Sequence, residues 1–153
     1  MILRYWDSCC FLAWLQEEDD DRVRGCGQVI SEAEAGKLRI VTSSLTLAEV
    51  LWLRGKPPIP VTEARKVQDF FQHDWIIVRE LDRSTAEAAR EVVWNNGVKP
   101  KDAIHVATAL LVHGHTPLDQ FDTYDDDDLL PLSEKLGIPP LKIGHPEIPG
   151  KLF

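Results

Sequence analysis

Short apolar runs alternate along the chain with segments whose apolar residues recur at helical spacing. Residues 2–6 and the stretches "LRIVTS", "WIIVRE" and "PLKI" are rich in β-branched, aromatic and leucine side chains, and they predict strands. A further strand is expected within "PLDQFDTYDDDDLL". Between these runs the spacing predicts helices over 11–15, 23–35, "SLTLAEVLWLR", "VTEARKVQDFFQHD", 85–94 and 99–110. The prolines of "GKPPIP" bar the third of these helices from running into the fourth. "STAE" is a capping-box pattern at the head of the 85–94 helix and "NNG" closes it, while Pro100 stands at the start of the next.

Strands that alternate with helices, each strand short and apolar, imply right-handed crossovers and a parallel sheet covered on both faces. The expected class is α/β, a Rossmann-like parallel sheet flanked by helices. A chain of 153 residues buries roughly 70% of its unfolded surface, enough for one real core. One domain is expected over 1–143, with 144–153 as a tail over the surface.

Composition narrows the setting. The apolar runs are far shorter than a bilayer span, so no transmembrane helix is expected. Asp7 interrupts the apolar start and no small-residue cleavage site precedes "EEDDD", so the N-terminus reads as a strand and helix. Three cysteines without CxxC spacing imply neither a disulfide framework nor a zinc ribbon and fit a reducing cytoplasm. The five histidines match no zinc spacing. A net charge of -8 argues against a broad basic surface for duplex DNA, but it is compatible with a nuclease whose carboxylates hold metal ions.

The helix at "KPKDAIHVATAL" carries apolar residues around much of its circumference and yet opens with Asp102. A buried carboxylate needs a cation, donors or a metal. In open α/β sheets ligands gather at the carboxyl ends of the strands, and three more acids fall there: Asp7 in "YWDSC", Glu49 in "SSLTLAEV" and Asp125 in "FDTYD". Each has an ordinary alternative. Asp7 fits a helix cap, Glu49 the far partner of a capping box with Thr46, Asp102 the positive end of its helix dipole, and Asp125 a solvated loop. Their joint placement at one edge of one sheet favours a shared site. Lys99 and Lys101 flank Asp102 as candidate contacts for a substrate phosphate, with plain solvation the alternative. For His105, one turn after Asp102, a hydrogen-bonded structural role is expected.

The series "WDSCCFL", "SSLTLAEVL", "KPKDAIHVATAL" and "FDTYDDDDL" resembles the PIN-domain ribonucleases, especially the VapC-type toxins of bacterial and archaeal toxin-antitoxin pairs. The likeness runs from the N-terminus to the last strand near Ile143, and "DAIHVATAL" is its most specific motif. It implies a PIN-like fold, an endoribonuclease cleaving single-stranded RNA, and Mg²⁺ or Mn²⁺ held by Asp7, Glu49, Asp102 and Asp125. It also places the small hydroxyl residues Ser8 and Thr123 beside the site, with Asp128 as a further acid, and leaves Asp122, Asp126 and Asp127 competing for the register of the last motif. The acidic "EEDDD" and the tail lie outside the family pattern. An antitoxin protein and a homodimer are the partners it implies. Trp14 and Trp52 are candidates for an apolar antitoxin groove, with burial in the core expected for either. The competing functional reading is a non-catalytic PIN-like module that binds RNA or protein. A haloacid-dehalogenase-like phosphatase would need Asp-x-Asp after the first strand, where this chain has Asp7-Ser8-Cys9.

Overall fold

The computed structural model describes residues 1–17, 19–52 and 57–150. Five parallel strands, β1 (Ile2–Trp6), β2 (Leu38–Ser43), β3 (Ile76–Arg79), β4 (Gln120–Asp122) and β5 (Ile143–Gly144), form one sheet in the order β3-β2-β1-β4-β5. The helices are α1 (Ser8–Leu15), α2 (Asp20–Glu34), α3 (Leu45–Glu49), α4 (Ala64–Phe70), α5 (Arg83–Asn96) and α6 (Pro100–His115). The expected α/β architecture is therefore present, with two cores rather than one. Trp6, Leu38, Ile40 and Ile76 face α1, α2 and α4, whereas Tyr5, Val41, Phe121 and Ile143 face α5 and α6. Successive strand residues point to opposite faces, so Tyr5 and Trp6 anchor different layers.

Local chemistry moves several boundaries. α2 begins three residues before the expected helix because Asp19, within "EEDDD", accepts a hydrogen bond from Arg22 N at 2.9 Å and caps it. Glu18 of that run lies outside the described residues. The cap of α5 is Asp82, which accepts from both Thr85 N (2.8 Å) and Thr85 Oγ1 (2.7 Å), so the capping box expected at "STAE" gives way to an aspartate two residues upstream. Gly97, at φ 67°, closes this helix in the left-handed conformation as "NNG" predicts.

The helix expected over "SLTLAEVLWLR" is only the five residues of α3. Its chain turns at Val50, which is fully buried, and Ile59 N then bonds Leu51 O at 2.7 Å across the linker. Leu53 and Arg54, and Gly55 and Lys56 of "GKPPIP", lie outside the described residues. Trp52 is 65% exposed, against the burial expected of it, while Trp14 is half-buried against the α1–α2 core. "VTEARKVQDFFQHD" divides into a 3-10 turn (Val61–Glu63) and α4, after which Phe71 and Trp75 plug the core. Residues beyond Ile143 continue the body: Gly144 pairs with Asp122, Arg4 donates to Glu147 O, and Ile148 N to Gln28 Oε1. Pro146 O comes so close to α2 that a Cβ on Gly25 would stand 2.2 Å from it, which only glycine permits.

One buried ion pair crosses the middle of the sheet. Arg4 in β1 donates to Asp122 at 3.0 Å, and Asp122, fully buried, also accepts from Trp6 Nε1 (2.8 Å) and Gln120 Nε2 (2.7 Å). Burial pushes the Asp122 carboxyl up to about 6 against the opposing pull of Arg4 and these donors, so the pair is ionised at neutral pH. Removing one partner of such a pair leaves an uncompensated buried charge. Urea unfolding of Arg4→Met at pH 7 is therefore expected to show a loss of about 3 kcal/mol or more, shrinking at pH 5 as Asp122 takes up a proton. An equal loss at both pH values would contradict this account.

Candidate functional site

β1 lies between β2 and β4, so the chain leaves β1 toward one side of the sheet and returns on the other. Crevices in open parallel sheets form at such a reversal, outside the carboxyl ends of the strands. The pairing of Trp6 with Asp122 sets Asp7 and Thr123, the next residues, side by side there. Thr123 Oγ1 donates to Asp7 Oδ2 at 2.6 Å, and the Cys9 thiol donates to Asp7 Oδ1 at 2.7 Å. Asp7 occupies the N-cap position of α1 but makes no capping bond with its side chain. Its carboxylate, 5% exposed, is held by Thr123 and Cys9 instead.

Thr123 also accepts from Asp125 N at 3.0 Å, which fixes the loop after β4. Asp125 Oδ1 in turn accepts from Asp127 N (3.2 Å) and Asp128 N (2.9 Å), folding the aspartate run back on itself. Asp102 approaches from the first turn of α6, behind Pro100, and carboxylate oxygens of Asp102, Asp125 and Asp128 all lie within 4.8 Å of one another. The register of the last motif follows. Asp122 belongs to the Arg4 pair, Asp126 binds His145 Nε2 at 2.5 Å, and the Asp127 amide serves the Asp125 turn.

The electrostatics record the crowding. Burial first, and then the charges of Asp125 and Asp7, push the Asp102 carboxyl up to about 6, with His105 opposing. Asp7 is raised by burial against the pull of His105, Cys9 and Thr123. Among the described residues no lysine or arginine forms an ion pair with Asp7, Asp102, Asp125 or Asp128.

Glu49 stands outside this trio. Its Oε1 is 2.7 Å from His105 Nε2, and His105 Nδ1 is 2.8 Å from the Tyr5 hydroxyl. A carboxylate accepts, so Nε2 donates to Glu49, while the Tyr5 hydroxyl keeps its proton through burial first and the Asp7 charge second. The capping-box role considered for Glu49 and Thr46 is not realised, since Thr46 Oγ1 bonds Thr42 Oγ1 at 2.7 Å. Ser8, Glu49, Trp52 and the exposed Lys101 line a cavity of about 470 Å³ beside the aspartates. Lys99 is exposed at the cap position of α6. His105 has the hydrogen-bonded structural role expected of it, but its partners were not legible. Nor was Cys9, whose only signal was its place two residues after Asp7.

An all-oxygen set of aspartates, Asp102 and Asp125 half-buried and Asp128 exposed, with surplus negative charge suits a hard divalent cation that accepts carboxylates and keeps waters. The PIN domain family profile matches residues 4–129. No curated protein matches the sequence. Among solved structures, a toxin-antitoxin complex from Klebsiella pneumoniae is similar with 17% identity and a TM-score of 0.58, over 82% of this chain and 88% of that one. VapC20 of Mycobacterium tuberculosis, a sarcin-ricin loop cleaving toxin, is similar with 17% identity and a TM-score of 0.58, over 81% of this chain and 91% of that one.

Because the folded Asp102 carboxyl titrates near 6, above the ordinary aspartate value, the native state binds this proton more tightly than the unfolded chain. Its ionisation therefore costs stability as pH rises from about 4 to 6, and the cost is full above 6. Asp102→Asn is expected to stabilise the metal-free protein at pH 7 by about 1–3 kcal/mol and to flatten this part of the stability profile. Thermal melts in EDTA across pH 4–7 measure both effects, and a destabilised variant at pH 7 would show that Asp102 serves only its helix.

Proposed function

The chain belongs to the PIN-domain family, and from that premise we propose that it is a Mg²⁺- or Mn²⁺-dependent endoribonuclease acting on single-stranded RNA, the toxin of a toxin-antitoxin pair. The observation that carries the reading is the meeting of Asp102, Asp125 and Asp128 oxygens within 4.8 Å beside Asp7, with no basic side chain paired to them among the described residues. Asp7, Asp102 and Asp125 would hold the ion, with Asp128 as a further donor. Glu49 would join from its place on His105. A bound divalent ion supplies the positive charge that offsets these carboxylates and polarises a phosphodiester and its attacking water.

The chain's own residues do the positioning. Thr123 clasps Asp7 to the Asp125 loop, so the carboxylates of two strand ends keep a fixed relation. His105, 1% exposed, aims Glu49 from the core. Lys101, which lines the same cavity as Ser8 and Glu49, would draw a phosphate toward the acids, and exposed Lys99 would add charge at the same helix start. The net charge of -8 disfavours a duplex, which needs many phosphate contacts at once, and leaves a flexible single strand as the substrate that reaches the crevice.

The antitoxin reading draws on the similarity to a toxin-antitoxin complex and on an apolar groove of about 550 Å³ lined by Leu47, Leu51, Ile59, Val61 and Phe71, next to Glu49 along α3. A homodimer and a cytoplasmic setting complete the proposal. No described helix is long and apolar enough to cross a membrane.

Purified, metal-stripped protein incubated with structured and unstructured RNAs is expected to cut loops and single strands only when Mg²⁺ or Mn²⁺ is restored. Asp7→Ala and Asp102→Ala are each expected to lower the rate by about 100-fold or more, as lost transition-state stabilisation of this kind does. Melting temperature gives a readout independent of catalysis: a ligand at about 100 times its Kd adds about 2.7 kcal/mol, so Mn²⁺ raises the parent's Tm and moves the two variants much less. Equal Mn²⁺ responses in all three proteins, or cleavage that persists in EDTA, would overturn the assignment.

A further inference from the structure

A second kind of donor stands at Asp7. The Cys9 sulfur packs at the edge of the α1–α2 core, where it also has polar partners. It lies 2.7 Å from Asp7 Oδ1 and 3.5 Å from Thr123 Oγ1, and it receives the Tyr124 backbone N–H at 3.2 Å. The Cys10 sulfur lies behind it, and the ligand atoms of Asp7, Cys9 and Cys10 fall within 4.8 Å of one another. None of the three cysteines is in a disulfide. We propose that Asp7 and Cys9, backed by Cys10, bind a thiophilic divalent cation of the Zn²⁺ or Cd²⁺ class, and that this ion takes Asp7 away from the aspartate site and arrests the enzyme.

The chemistry of the donors separates the two kinds of ion. Mg²⁺ and Mn²⁺ prefer carboxylate and water and gain little from sulfur, whereas a thiolate selects softer metals. Zn²⁺ bonds sulfur at about 2.3 Å and carboxylate oxygen at about 2.0–2.2 Å, which puts two donors on one tetrahedral ion about 3.5 Å apart. The Cys9 to Asp7 distance then has to open by less than about 1 Å, within reach of a side-chain rotation. The ion replaces the thiol proton that Cys9 now donates to Asp7, and that proton leaves to solvent. Asp7 carboxylate and Cys9 thiolate together match the ion's two positive charges. The Tyr124 amide already donates to the Cys9 sulfur and can keep that bond when the proton is replaced by an ion. Cys26, whose sulfur faces Cys10 O and the Tyr124 hydroxyl in the α1–α2 layer, has no part in the site and serves as a control.

Only the inhibitory effect rests on the nuclease reading; binding does not. The test is a Cd²⁺ titration of the metal-stripped, full-length protein, following the thiolate-to-cadmium charge-transfer absorption. The parent and Cys26→Ser are expected to show a band that saturates at one ion per chain. Cys9→Ser is expected to lose it, and Asp7→Asn, which keeps every thiol, to need roughly tenfold or more Cd²⁺ to reach it. In the RNA cleavage assay with Mg²⁺ in excess, half-inhibition by Cd²⁺ or Zn²⁺ is expected to require roughly tenfold or more metal in Cys9→Ser than in the parent, each scaled to its own uninhibited rate. A band of parental size and affinity in Cys9→Ser, or one unaffected by Asp7→Asn, would overturn the site. A protein that cleaves no RNA but still shows the Cys9-dependent band would refute the proposed activity and leave the site standing.

Discussion

Like charges held together against their repulsion set the terms for the rest of this molecule. Asp7, Asp102, Asp125 and Asp128 meet where two central strands end, and burial of Asp102 makes the crowding costly enough to drive its carboxyl up to about 6. Such a cluster survives folding only if other elements fix each carboxylate from behind. The β1–β4 pairing sets the Asp7 backbone, Thr123 bonds the Asp7 side chain and the Asp125 amide together, and the apolar packing of α6 against the sheet drives Asp102 in. The hydrophobic effect, at roughly 25 cal/mol per Å² buried, thus provides the stability that the charges take away.

A few ångströms along the same two strands, the opposite solution appears. Asp122 is more deeply buried than any acid of the crevice, yet it has Arg4, Trp6 and Gln120 as donors. The contrast separates structure from function. Where an acid serves only the fold, the chain provides its partners, and where acids are left to repel, an external cation is the natural complement. Glu49 occupies a middle position, supported by the buried His105 ring at 2.7 Å.

The alternation of apolar runs and helical spacing was enough to show the sheet, its flanking helices, the strand-end position of Asp7 and Asp125 and the helix-start position of Asp102, because those features depend on periodicity and order along the chain. What escaped depends on pairs far apart in sequence. Nothing local in "DAIHVATAL" tells that His105 bridges Tyr5 and Glu49, or in "FDTYD" that Asp122 turns to Arg4 while Asp125 turns to the crevice. Boundaries failed for a different reason. "SLTLAEVLWLR" has good helix formers throughout, but burial of Val50 turned the chain after Glu49, and "STAE" lost its capping role to Asp82, a stronger acceptor slightly upstream.

The strand order has a consequence in time as well as in space. β1 leaves the ribosome well before its neighbour on one side, β4, which begins only at Gln120. Until then β1 has an open edge and Asp7 lacks the Thr123 hydroxyl that holds it, so an incomplete chain has no finished crevice. Any activity assembled there is withheld until β4 has been made. The same arrangement makes the half-made chain sticky, since the central strand of the sheet waits longest for its second partner.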